Sequence, residues 1–208
     1  MHNARKSRPV RAAPPPPDTR NRILQLAWDR IAAQGNAATS LVDLAREAGV
    51  SRQTLYLLFG SRAGLLLAMV EYRDAQSAVV PKLARARESM MARDAFEPYL
   101  RAWFEYLPQV FPVARALASA ATSSDSDARA AWESRMKLLR GGFLQITRAL
   151  HDTGALRSGW TPAAAADWLF GMTHVDTWQH LVIEARWKPK DAVDRIVSTL
   201  RETLLVGG

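Results

Sequence analysis

The chain contains no cysteine. That absence excludes disulfides, thiolate catalysis and zinc sites built on cysteine ligands. Histidine is scarce, with four in 208 residues, so acid–base and metal chemistry have few candidates. No apolar run approaches the roughly 18 residues of a membrane span. The longest, LLLAMV at 65–70, fits an ordinary amphipathic helix. The basic N-terminus, MHNARKSRPVRAAPPPP, lacks the apolar stretch and cleavage site of a signal peptide. Strand-like alternation is missing as well. The expectation is an all-α, soluble, cytoplasmic protein with no cofactor, no bound metal and no membrane partner.

Hydrophobic residues make up 48% of the chain, enough for a real core, and the net charge is +8. The charge is unevenly placed. Residues 1–73 hold 11 Lys/Arg against 5 Asp/Glu, a net of +6, whereas residues 74–208 hold 17 against 15, a net of +2. A basic first third suits nucleic acid, with an anionic membrane surface or a merely solvated face as the competing readings. Residues 1–17 carry Arg5, Lys6, Arg8 and Arg11 before four prolines. They read as a disordered or semi-rigid basic arm.

The remainder has helical periodicity. Ile23, Leu24, Ala27, Trp28 and Ile31 recur at three- and four-residue spacing, with Asp18 or Thr19 as cap and Gly35 as terminator. Thr39 or Ser40 caps a second helix through Leu41, Leu44, Ala45 and Ala48, which Gly49 ends. Ser51 caps a short third helix that closes at Gly60. Longer helices are expected at about 61–80, 94–107, 109–121, 126–151, 162–186 and 189–205, the breaks falling at prolines, at TSSDSD (122–127) and at HDTGALRSGW (151–160).

Three short helices, the last two joined by AGV, suggest a helix-turn-helix. Gly49 suits the turn because glycine adopts positive φ without penalty. Leu44, Ala45, Leu55 and Leu58 then pack toward Leu24, Ala27 and Ile31, leaving the first turn of the third helix protruding. Arg52 and Gln53 on that turn match the bidentate demands of guanine and adenine edges in the major groove. Thr54 can reach a phosphate or a thymine methyl, and Tyr56 places a hydroxyl near the DNA backbone. Ser51 completes this set, and Thr39 and Ser40 sit at a helix N-terminus, whose amides favour phosphate.

RILQLAWDRIAAQG (22–35), TSLVDLAREAGVS (39–51), TLYLLF (54–59) and SRAGLLLAM (61–69) together resemble the DNA-binding domain of the TetR family of bacterial transcriptional regulators. The resemblance covers about a quarter of the chain. It implies phosphate contacts for Tyr56 and Arg62, the latter standing where Lys is commoner. Asn36 replaces a usual aromatic. It implies a helix-turn-helix domain at 18–66 and a helical ligand-binding and dimerisation domain at 67–208. It further implies that the last two long helices pair with a twofold mate. Their apolar stripes, Leu169, Met172, Trp178, Leu181 and Val182, then Val193, Ile196, Val197 and Leu200, are the expected interface, although such stripes also suit packing inside one subunit.

Seven tryptophans are many for this length. Trp103, Phe104, Phe143, Trp168 and His174 are the candidate lining of an aromatic pocket, or else plain core. Gly141 and Gly142 within a helix suggest a kink or a close approach. His174 and His180 point about 120° apart on one helix, so they do not grip one ion. The function expected is a homodimeric DNA-binding regulator: a repressor that holds a palindromic operator on double-stranded DNA and is released by a small hydrophobic or aromatic effector. It is not expected to be an enzyme. The competing readings are an enzyme using His151, His174 or His180, and a basic adaptor for acidic surfaces.

Overall fold

In the computed structural model the described residues are 17–34, 40–88, 92–122, 124 and 126–207. Residues 1–16, Gly35, Asn36 and the candidate Thr39 lie outside them; Pro17, read as the last residue of the arm, begins the first helix, so Asp18 and Thr19 lie within its first turn. Helices α1 (Pro17–Gln34), α2 (Leu41–Glu47) and α3 (Arg52–Phe59) form the head. The caps fall where serine was read: Ser40 Oγ accepts the Val42 N–H at 3.2 Å, and Ser51 Oγ accepts that of Thr54 at 3.0 Å. Gly49, at φ +64°, turns the chain between α2 and α3. Leu24, Ala27, Ile31, Leu44 and Leu55 are fully buried between the three helices. An Arg30–Glu47 ion pair at 3.0 Å joins α1 to α2.

Helix α4 (Arg62–Gln76) leaves the head and enters the body. It does not run to residue 80 as the sequence suggested. Ser77 turns extended and its hydroxyl accepts the Val79 N–H at 3.1 Å, offering the backbone an alternative to another helical turn. Pro81 then begins a separate helix, α5 (Val80–Arg87), that was not anticipated.

The two helices expected at 94–107 and 109–121 are one, α6 (Ala92–Ala121), with Pro98, Pro108 and Pro112 inside it. Each internal proline costs about 3 kcal/mol. Burial offsets this: Phe96, Tyr99, Leu100, Trp103, Phe104, Tyr106, Leu107, Val110, Val113 and Leu117 all face the core, at about 1.5–3 kcal/mol for each large side chain. Helix α7 (Ser126–Asp152) packs beside α6, and α8 (Pro162–Thr173) packs on α7.

The helix expected at 162–186 breaks at His174, whose backbone is extended. A four-residue helix, α9 (Val175–Trp178), follows and continues as a π-helical stretch, Gln179–Glu184. The break is tolerated because its carbonyls find donors. The Trp103 indole N–H reaches the Thr173 carbonyl at 3.0 Å, and the Thr177 hydroxyl reaches that of Gly171 at 2.7 Å. Helix α10 (Pro189–Leu204) closes the body. Beyond it, Val206 N–H bonds the Ala155 carbonyl at 3.1 Å and Arg157 N–H bonds that of Leu204 at 2.8 Å. Among the described residues the one β-feature is an isolated bridge between Leu156 and Leu205. No single described helix is long and apolar enough to cross a membrane.

Candidate DNA-reading face and buried cavity

Helix α3 has two unlike sides. Leu55 and Phe59 are buried, while Arg52, Gln53, Tyr56 and Leu57 are exposed. The Arg52 guanidinium lies 5.4 Å from the Tyr56 ring centroid and donates to its hydroxyl at 3.4 Å. The two side chains therefore share one patch, with the cation over the ring face. The Ser51 and Thr54 hydroxyls are 2.8 Å apart and serve the cap. Ser40 likewise caps α2, so both serines order helix starts whatever else they touch. Arg62 is half-buried at the start of α4. Leu57, at 67% exposure, was not singled out from the sequence. Its signal is an apolar residue four after Gln53, on the exposed side of a helix whose other side is already filled.

The body holds a partly open cavity of about 200 Å³ between α4, α5, α6, α7 and the break at His174. Apolar side chains dominate its wall, Val110, Leu117 and Leu139 among them, together with Trp103 and Trp132. Two polar groups interrupt it. The first joins three helices: Arg135 of α7 donates to both carboxylate oxygens of Asp74 on α4, at 2.7 and 3.2 Å. The Tyr106 hydroxyl of α6 donates to the same carboxylate. Burial and then Asp74 push the Tyr106 pKa above its ordinary value. Burial alone would lower that of Arg135, but its hydrogen bonds and charge contact with Asp74 hold it raised.

The second polar group pairs Arg87 of α5 with the Tyr99 hydroxyl of α6. Burial raises the tyrosine to about 12, with Arg87 opposing. Gly142 makes room for this contact, since a Cβ there would lie 2.7 Å from Arg87 Nη1. Of the glycine pair, Gly142 is thus the member at a close approach, whereas Gly141 faces open space.

His174 lines the cavity, between Trp132 at 6.0 Å and Phe170 at 5.1 Å. Burial lowers its pKa, Asp176 opposes, and Arg115 adds to the lowering. The neutral ring is thus favoured, and its Nδ1 accepts the Asp176 N–H at 3.3 Å. His180 is exposed and lies 3.3 Å from Glu184 instead. The two histidines serve separate contacts.

Of the five residues read as pocket lining, Trp103 and His174 line the cavity. The other three sit elsewhere. Phe104 stacks on Trp178 at 6.0 Å, and Phe143 is fully buried edge-on to Tyr99 and Trp103. Trp168 is 43% exposed beside Trp160. The expected interface stripes also divide. Leu169, Trp178, Ile196, Val197 and Leu200 are buried in the chain's own core, because α8 packs on α7 while α9 and α10 pack on α6 and on α8. Met172, Leu181, Val182 and Val193 are half-buried. The large apolar side chains left open in this segment are Trp168, Ile183 and Trp187.

Residues 23–69, which span the head and half of α4, match the model of the bacterial regulatory proteins of the tetR family. The match identifies the head as a domain of the tetR type. No curated protein sequence matches it significantly. Solved structures with this fold match almost end to end. A candidate transcriptional regulator from Saccharomonospora viridis, solved with choline, superposes with a TM-score of 0.72 at 18% identity, over 91% of this chain and 99% of its own. FadR from Bacillus subtilis, solved with stearoyl-CoA, gives 0.67 at 18%, covering 87% and 97%. NalD of Pseudomonas aeruginosa, the secondary repressor of the MexAB-OprM multidrug efflux pump, gives 0.66 at 19%, covering 90% and 96%. At such identities the likeness establishes the fold: a tetR-type helix-turn-helix head on a helical body.

Proposed function

We propose that the protein is a homodimeric transcriptional repressor that binds a palindromic operator and releases it when a small hydrophobic or aromatic effector enters the cavity. One observation carries this reading. The helix that follows the exposed face of α3 is the same helix whose other end puts Asp74 into the cavity wall. From Arg62 to Asp74 is about 18 Å of continuous helix, so an occupant that disturbs the Asp74–Arg135–Tyr106 cluster also bears on the mount of α3. The effector must bind the DNA-incompatible arrangement more tightly than the other. Solved relatives of the same fold include a named repressor and complexes with choline and stearoyl-CoA, which supports reading the cavity as an effector site.

On the DNA side, Arg52 and Gln53 read base edges, Leu57 meets a thymine methyl, and Tyr56, Arg62, Ser40 and Thr54 approach phosphates. Two copies meet through the outer side of α8–α10, where Trp168, Ile183 and Trp187 are open and Met172, Leu181, Val182 and Val193 are half-open. Selection of bound sequences from random duplex DNA tests the reading. The expected product is an inverted repeat with half-sites about one helical turn, roughly 34 Å, apart. Recovery of no preferred sequence would sink it.

A further inference from the structure

We infer that the cavity takes a compact organic anion, a carboxylic acid with an aromatic or branched apolar body, whose carboxylate pairs with Arg87. This rests on reading the cavity as the effector site and specifies its ligand.

The charges of the wall carry the inference. Its ionisable side chains are Asp74, Arg87, Arg135, Tyr99, Tyr106 and His174. Asp74 already pairs with a cation: it takes two hydrogen bonds from Arg135 and one from Tyr106. Both tyrosines are held protonated, and His174 favours its neutral form. One cation therefore remains without an anion. Among the described residues no carboxylate forms an ion pair with Arg87; its polar contact is the neutral Tyr99 hydroxyl. A guanidinium in a mostly apolar wall gains more from a carboxylate than from a phenol, because charge-assisted bidentate hydrogen bonds are roughly twice as strong as neutral ones. The guanidinium passes over Gly142, where a Cβ would lie 2.7 Å from its Nη1. A ligand amine would meet a net positive wall and no free acceptor carboxylate.

Size and shape set the rest. A volume of about 200 Å³ lies below the roughly 300–1,000 Å³ of sites for drug-sized ligands. Trp103, Trp132, Tyr99 and Tyr106 offer ring surfaces to the body of the acid.

The test compares three probes of one shape: 3-phenylpropanoate, 3-phenylpropanamide and 3-phenylpropylamine. Benzoate and octanoate vary the body of the acid. Binding to the full chain is followed by tryptophan fluorescence, to which Trp103 and Trp132 report, and by calorimetry. At least one acid is expected to bind, with 3-phenylpropanoate about tenfold or more tighter than its amide and the amine weakest. Arg87→Gln, which keeps a donor for Tyr99, should erase the acid-over-amide preference. Arg87→Lys should restore part of it, and the surface change Arg85→Gln should leave it intact. Equal binding of acid and amide, tighter binding of the amine, no saturable signal from any acid, or an unchanged preference in Arg87→Gln would each overturn the inference. Binding to the selected operator is measured in parallel. Operator binding that no acid weakens would overturn the anionic effector while leaving the DNA-binding reading standing. Acid preference in a protein that selects no DNA sequence would do the reverse.

Discussion

The head and the body of this molecule use polar residues in opposite ways. On α3, Arg52, Gln53 and Tyr56 stand in solvent on a mount of Leu55 and Phe59. In the body, Asp74, Tyr106 and Arg135 are drawn together across three helices inside an apolar wall. An exposed residue can be exchanged with little effect on the fold, so its worth lies in what it touches outside. A buried cluster binds its own helices together, so any change in it is felt as stability and as a shift in their packing. The proposed function assigns outside contacts to the head and their regulation to the body.

Mutations can break that contrast. The largest effect is expected from Leu55→Ala, which removes a fully buried side chain from under α3. It should cost about 2–5 kcal/mol, seen as a lower denaturant midpoint, with DNA binding lost in proportion. Asp74→Asn should cost about 1–3 kcal/mol, since Arg135 and Tyr106 lose their shared acceptor charge while remaining partly wet. Its denaturation midpoint should fall with no change in the surface of α3. Arg52→Ala and Tyr56→Phe should leave the midpoint within about 0.5 kcal/mol of the parent. Arg52→Ala should cost about 1–3 kcal/mol of discrimination at one base position. Tyr56→Phe should weaken all duplexes alike by about 0.5–1.5 kcal/mol. If Arg52→Ala lowered stability as much as Asp74→Asn, the contrast would fail.

The smallest effect concerns pH. Because the folded pKa of His174 lies below its unfolded value of 6.5, the unfolded chain takes up the proton first. The stability due to the neutral ring is fully present above pH 6.5. It declines as pH falls from there to the folded pKa. His174→Gln should flatten this part of a stability–pH curve while leaving the acid limb set by carboxylates.

The same contrast explains what the sequence disclosed. The head was legible because its signals are local: Ser40 and Ser51 cap within three residues, Gly49 turns the chain where it stands, and the apolar spacing fits one helix at a time. The body was less so. Pro108 reads as a break, yet α6 passes through it because a long row of core side chains outweighs a missing hydrogen bond. Nothing between Pro162 and Glu184 announces the break at His174, since the groups that satisfy it, Trp103 above all, are distant in sequence. A pocket was expected from aromatic residues, of which Trp103, with His174, lines the cavity. Its ionic members Asp74, Arg87 and Arg135 were not, because they lie on three helices and meet only in the fold. Aromatic content likewise could not separate Trp103, which lines the cavity, from Trp168, which faces out.

Two neighbouring residues of α4 grip opposite partners. The Arg73 guanidinium lies 4.3 Å over the Trp28 ring of α1, while Asp74 holds Arg135 of α7. The helix is thus pinned at one level from both sides, with Arg62 at the end of an arm of about 18 Å. Such a pin acts as a fulcrum. A tilt of about 5° at that level moves the far end of the arm by roughly 1.6 Å, over half the length of a hydrogen bond. On the proposed function, a change too small to open the body would thus be enough to take α3 out of register with a rigid duplex.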